Sequence, residues 1–152
     1  MTNVINFNAT TARFGLPNLF PGQSQKEFYI NEGLGILDGI LHLHVEGMLT
    51  APPATFSTSE CWIVGANATG EWAGQENMIA LGGEGGWTFI NPSSGMHAFD
   101  KSIQQFQVFD GSWNYSATPS EPQGGGVIDA EARAAIGELI AALRGFGVFS
   151  AS

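Results

Sequence analysis

Three features of the sequence predict an α+β fold. From Glu60 to Ser116 the chain is a series of short apolar runs broken by glycine, the signature of small β-strands. Ahead of it, residues 31–46 carry apolar side chains at a helical period. Behind it, the glycine- and proline-rich "TPSEPQGGG" leads into a capped, alanine-rich closing segment. The expected architecture is a small antiparallel β-meander or partial barrel packed on one buried helix, plus a C-terminal oligomerisation helix. Residues 1–116 would form the β-rich domain with its N-terminal arm, 117–126 a flexible linker, and 127–152 the helical end. At 152 residues the chain is expected to be one domain with an appendage.

The arm, residues 1–22, is irregular, with turns at "GLPN" and "FPGQ" where Pro17 and Pro21 sit beside Gly15 and Gly22. "KEFYI" is a short apolar run with the look of a strand. Asn31 is then the expected N-cap of a helix over about 31–46. Ile30, Leu34, Leu37, Leu41 and Val45 recur at spacings of four, three, four and four. Ile36, Ile40 and Leu43 widen that stripe, so the helix should be buried on most of its circumference. Gly33, Gly35 and Gly39 each weaken it by roughly 0.5–1 kcal/mol relative to Ala, so packing must hold it in place.

The strand candidates are "CWIVG", "MIALG", "WTFI", "MHAF" and "FQVFD". A weak internal echo runs through this region: "EGGWTF" at 84–89 and "DGSWNY" at 110–115 share acid–Gly–x–Trp–x–aromatic. The acid and glycine suit a tight hairpin turn, and the Trp and the aromatic two residues on share one strand face.

In the closing segment Asp129 is a natural N-cap, Glu131 complements the helix dipole, Arg144 suits the last turn, and Gly145 or Gly147 supplies the C-cap. Ala132, Ile136, Leu139, Leu143 and Phe146 step by four, three, four and three, a heptad-type seam that Ile128 extends backward. A helix of about 16 residues is marginal alone in water. Its seam must be covered either by its own β-domain or by the same helix of symmetry mates.

Composition excludes several function classes. Net charge is −9, and the five basic residues (Arg13, Lys26, Lys101, Arg133 and Arg144) are scattered, so no nucleic-acid surface is expected. No apolar run nears the ~20 residues of a membrane span, and no membrane insertion is expected. The start has neither a basic nor a continuous apolar region, so synthesis in a cytoplasm without a signal peptide is expected. Cys61 is alone, and His42 and His44 fall on different faces of the expected helix, so no metal is called for. "LGGEGGW" lacks phosphate-loop spacing and "NPSSGMH" lacks a nucleophile elbow, so neither a cofactor nor catalysis is expected. Trp72, Trp87 and Trp113 lie beside glycine turns. They either plug a small β-core or present flat platforms on which host-surface polysaccharide would stack.

The run "RFGLPNLFPGQSQKEFYINEGLGILDGILHLHVE" at 13–46 resembles the opening of a domain family of unknown function. That family occurs in tail-fibre, head-spike and host-specificity proteins of tailed phages, prophages and gene transfer agents. The likeness rests on Gly15, Leu16 and Pro17, on Gly22, Gln23, Gln25, Lys26 and Glu27, and on Asn31, Glu32, Leu37 and Asp38. The Trp- and Gly-rich stretches "VGANATGEWAGQENMIALGGEGGWTFINPSSG" and "VFDGSWN" are similar to its second half, and the closing segment is similar to the final helix of many members. The resemblance implies a non-enzymatic virion protein, a homotrimer among other head or tail proteins, with a role in host attachment.

Overall fold

The computed structural model describes residues 9–22 and 26–150. These form two helices, eight strands in two four-stranded sheets, and no closed barrel, an α+β arrangement. In chain order they are α1 (Lys26–Ile40), β1 (His44–Val45), β2 (Met48–Leu49), β3 (Cys61–Val64), a 3-10 turn (Gly70–Trp72), β4 (Ile79–Gly83), β5 (Gly86–Ile90), β6 (His97–Asp100), β7 (Gln105–Phe109), β8 (Trp113–Tyr115) and α2 (Ala130–Gly145). The chain divides into two compact units. One holds the residues up to Leu43 together with Met48–Asn91; the other holds His44–Gly47 and the chain from Pro92 onward. The chain thus partitions inside the stretch 1–116, and 127–150 belongs with β6–β8.

Both sheets share one plan. Each is an antiparallel three-stranded meander, β3–β4–β5 or β6–β7–β8. Each gains a two-residue parallel strand from the connector after α1, β2 beside β3 and β1 beside β6. The sheets are therefore mixed, where an all-antiparallel meander was expected. Strands this short carry no hydrophobic periodicity, which is why the sequence hides them. The sequence echo falls at matching places. "EGGWTF" makes the β4–β5 hairpin, closed by the Gly83–Gly86 pair, and "DGSWNY" makes the β7–β8 hairpin, closed by Phe109–Trp113. Gly111, at φ +106°, supplies the left-handed residue of the second turn.

The first helix corrects four expectations. It starts by Lys26, so "KEFYI" is helical, and it ends at Ile40, well short of residue 46. Asn31 lies inside it and caps nothing; its side chain serves the arm. Leu41 N–H donates the last helical bond to Leu37, and His42 then turns left-handed at φ +51°, which frees His44 and Val45 to pair with β6. Nor is the helix buried most of the way round. Only Asp38 and Gly39 are fully buried, while Phe28, Tyr29, Ile30 and Leu37 are exposed.

In the first unit the strands β3 and β4 are covered on both faces. Gly39 lets α1 settle on one face: a Cβ there would lie 2.7 Å from Leu81 Cδ1. On the other face Val64, Trp72 and Ala80 form a fully buried cluster, flanked by Trp62, Trp87 and Phe89. Phe56 closes over Gly82, where a Cβ would meet its ring at 2.6 Å.

Candidate functional site

The polar residues of the N-terminal motif hold the arm to α1. Asp38, fully buried, accepts from Thr11 Oγ1 (2.6 Å), Arg13 N (2.8 Å), Phe14 N (2.8 Å) and Ser59 Oγ (3.3 Å). Burial pushes this carboxyl upward, but the hydrogen bonds from Thr11, Phe14, Arg13 and Ser59 outweigh it and hold the pKa below the ordinary value. Asn31 grips Leu19 at both ends: its Oδ1 accepts from Leu19 N and its Nδ2 donates to Leu19 O. Glu27 Oε1 accepts from Gly22 N. Gly15 and Gly22 are left-handed, at φ +64° and +95°, so glycine suits both arm turns. Within "QSQKE", Glu27 fastens the arm, whereas Gln23 and Gln25 lie outside the described residues.

The tryptophans fall differently from a row of sugar platforms. Trp72 is fully buried, edge-on to Trp87 at 5.1 Å and 84°. Trp113 is buried against Phe109. Neither presents a free ring face for a sugar, which corrects the platform reading for both. Trp87 is half-buried and has Phe56 4.1 Å from its ring centre.

The second unit carries an open apolar surface, and it starts with a well-made helix. Asp129 Oδ1 accepts from Ala132 N at 2.8 Å, a side-chain N-cap. At the other end Gly147 sits left-handed at φ +72°. Its N–H bonds Arg144 O, and Val148 N–H bonds Leu143 O, the paired bonds of a Schellman cap. The segment 117–126 has no regular structure, and the Arg133 guanidinium bonds the carbonyls of Pro122 and Gly124, so the linker is fastened to α2.

Beyond the cap the chain docks on β7: Phe106 N–H donates to Gly147 O, and Gln105 Nε2 donates to Ser116 O and Val148 O. The helix itself docks by a narrow face. Arg133, Gly137 and Ile140, spaced four and three apart, are its less exposed positions. The expected seam lies on the adjoining face and is open. Ala132, Ile136 and Leu143 are exposed, Leu139 and Phe146 are 63% and 76% exposed, and Ile128 stands exposed just ahead of the helix.

The sheet beside it is patterned inside out. Along β7, Gln105 and Gln107 are buried while Phe106 and Val108 are exposed. The buried polar face is internally satisfied. Gln107 Nε2 donates to Asp100 Oδ2 at 2.7 Å, and Asp100 Oδ1 accepts from Ser102 N and Oγ. The outward face places Phe99 opposite Phe106 and His97 opposite Val108. It continues onto the helix end, because Phe99, Phe106 and Phe146 line one shallow hollow of about 220 Å³. Sequence reasoning missed this half of the surface, although the alternation Gln–Phe–Gln–Val was its visible sign.

Among the described residues no three His, Cys, Asp or Glu side chains converge as a metal site would require, and no helix is long and apolar enough to cross a membrane. No curated protein matches this chain. The family model described as "Protein of unknown function (DUF2793)" matches residues 30–114, from within α1 to within β8, which is more than half of the chain, and the protein belongs to that family.

Proposed function

We propose that this protein is a non-enzymatic structural subunit that assembles with copies of itself, three around α2, as a fibre, spike or fibre-base component of a phage-like particle. The observation that carries the reading is the open seam of α2. Four large apolar side chains, Ile136, Leu139, Leu143 and Phe146, recur at coiled-coil spacing and stand exposed on a helix capped at both ends. The virion setting rests on the resemblance of residues 13–46 to the opening of a family found in such fibres and spikes. Other head or tail proteins are the neighbours it implies, with a contribution to host attachment.

Magnitudes decide how much of the surface takes part. Completing the burial of each large seam residue is worth about 1–2 kcal/mol. Four of them give about 4–8 kcal/mol per copy, which leaves little or no surplus over the roughly 4–15 kcal/mol that association costs in lost freedom. The helix seam is therefore too small alone, and the adjoining Phe106 and Val108 face belongs to the same contact. A copy of this chain is the occupant because a heptad seam is complementary to itself.

Light scattering on the intact protein at micromolar concentration tests this. The expected result is a trimer, converted to a folded monomer by Leu139→Glu with Phe146→Glu. Both side chains are largely exposed in the single chain, so its stability should change by only about 0.5 kcal/mol or less. A monomeric wild-type protein would overturn the reading.

A further inference from the structure

An open groove of about 500 Å³ lies in the first unit, between α1 and the β4–β5 hairpin. Its floor is apolar, with Phe28, Ile36 and Leu81, and three carboxylates stand along it: Glu27, Glu32 and Glu84. None of the three forms an ion pair among the described residues. Gly82 and Gly83 make its hairpin wall. This groove is separate from the α2 seam and the β6–β7 face.

We propose that the groove is a docking site for a segment of another protein that presents a basic residue beside an apolar one. Charge complementarity selects the chemistry: the exposed carboxylates of Glu32 and Glu84 flank an apolar trough in a chain of net charge −9, while Glu27 is already bonded to Gly22 N. A second copy has few cations to offer: of its five basic residues, Arg13 bonds Gly39 and His42, Lys101 pairs with Glu46, and Arg133 bonds Pro122 and Gly124, which leaves Lys26 and Arg144. The shape selects a peptide over a small molecule. Small-ligand pockets enclose most of their ligand, whereas this groove stands partly open to solvent.

Selection from a random octapeptide display library on the immobilised full-length protein tests the proposal without a guess at the partner. Enriched peptides should place Arg or Lys next to Leu, Ile, Phe or Met. As labelled synthetic peptides they should bind the wild type, and raised salt should weaken them. Two variants locate the site. Gly35→Trp fills the groove from α1, since a Cβ at Gly35 meets nothing within 4 Å. Replacing glycine in a helix should also leave melting temperature unchanged or higher. Glu32→Gln with Glu84→Gln removes two exposed carboxylates. Each variant should weaken the selected peptides about tenfold or more, roughly 1.4 kcal/mol. Three results would each overturn the proposal: no peptide enriched over the Gly35→Trp protein, enriched peptides without a basic residue, or affinities unchanged by the two glutamine substitutions.

Discussion

In the sheet of β2–β5 the strands β3 and β4 are buried nearly end to end by Cys61, Ile63, Val64, Ile79, Ala80 and Leu81. In the sheet of β1 and β6–β8, built on the same meander plan, the buried positions of β7 are Gln105 and Gln107, with Asp100 opposite, and the phenylalanine and valine point outward. The pleat is identical and the polarity is reversed. A strand that turns Gln105 and Gln107 inward and Phe106 and Val108 outward has a fixed internal hydrogen-bond pattern and an outer face unsuited to water. The strands β3 and β4 are thus covered on both faces within their own unit, whereas the outer face of β7 is left open.

The largest expected effect probes the covered side. Trp72→Ala removes a fully buried indole from the Val64–Ala80 cluster and should cost about 3–5 kcal/mol, seen as a lower urea midpoint. The corresponding change inside the other sheet, Gln107→Leu, adds apolar surface to a core position yet should destabilise. It strips Asp100 Oδ2 of its donor, and a buried unpaired group costs about 1–3 kcal/mol. Should Gln107→Leu stabilise the protein instead, the inward polar face is incidental, and the contrast between the sheets collapses.

Asp38 sharpens the same comparison through pH. Its folded pKa lies below the ordinary carboxylate value, so the stability it adds is complete above about pH 4. That contribution is lost as pH falls through the lower folded value. Protonation would then weaken the bonds from Thr11, Arg13, Phe14 and Ser59 and loosen the arm from α1. Stability measured by urea unfolding between about pH 3 and 6 should fall at the acid end in the wild type. Asp38→Asn should be less stable at neutral pH and show a shallower acid dependence. Equal slopes would mean that the arm is held by something other than this carboxylate.

Much of the fold could be read in advance, and the failures have physical causes. The five longer strands and the closing helix were legible because glycine turns, alternation and caps mark them locally; Asp129 and Gly147 cap α2 as their residue types imply. The limits of α1 were not. Its apolar repeat runs on into Leu41, Leu43 and Val45, but His42 breaks the helix by a left-handed turn that residue type barely signals. Asn31 was misread because an asparagine before a helical repeat usually caps; here it grips Leu19, a contact twelve residues back. The strands β1 and β2 exist only by pairing with β6 and β3, which no local pattern records. On the surface, the α2 seam was legible by period. The Phe106–Val108 face was not, because an alternating strand does not declare which of its faces is buried.

Two helical glycines give the smallest and most discriminating test. Gly33 and Gly39 share α1 and the same intrinsic penalty, so propensity alone gives Ala at either position a gain of roughly 0.5–1 kcal/mol. The surroundings separate them. A Cβ at Gly33 meets nothing within 4 Å, so Gly33→Ala should realise that gain as a higher melting temperature. A Cβ at Gly39 would lie 2.7 Å from Leu81 Cδ1, and Leu81 is held in β4 between β3 and β5. Overpacking of that kind costs about 1–3 kcal/mol, more than the propensity returns. Gly39→Ala should therefore destabilise, and Gly39→Ala with Leu81→Val should recover part of the loss by withdrawing the offending methyl. If both single variants stabilise alike, Leu81 yields freely, and α1 is not tightly seated on the first sheet at Gly39.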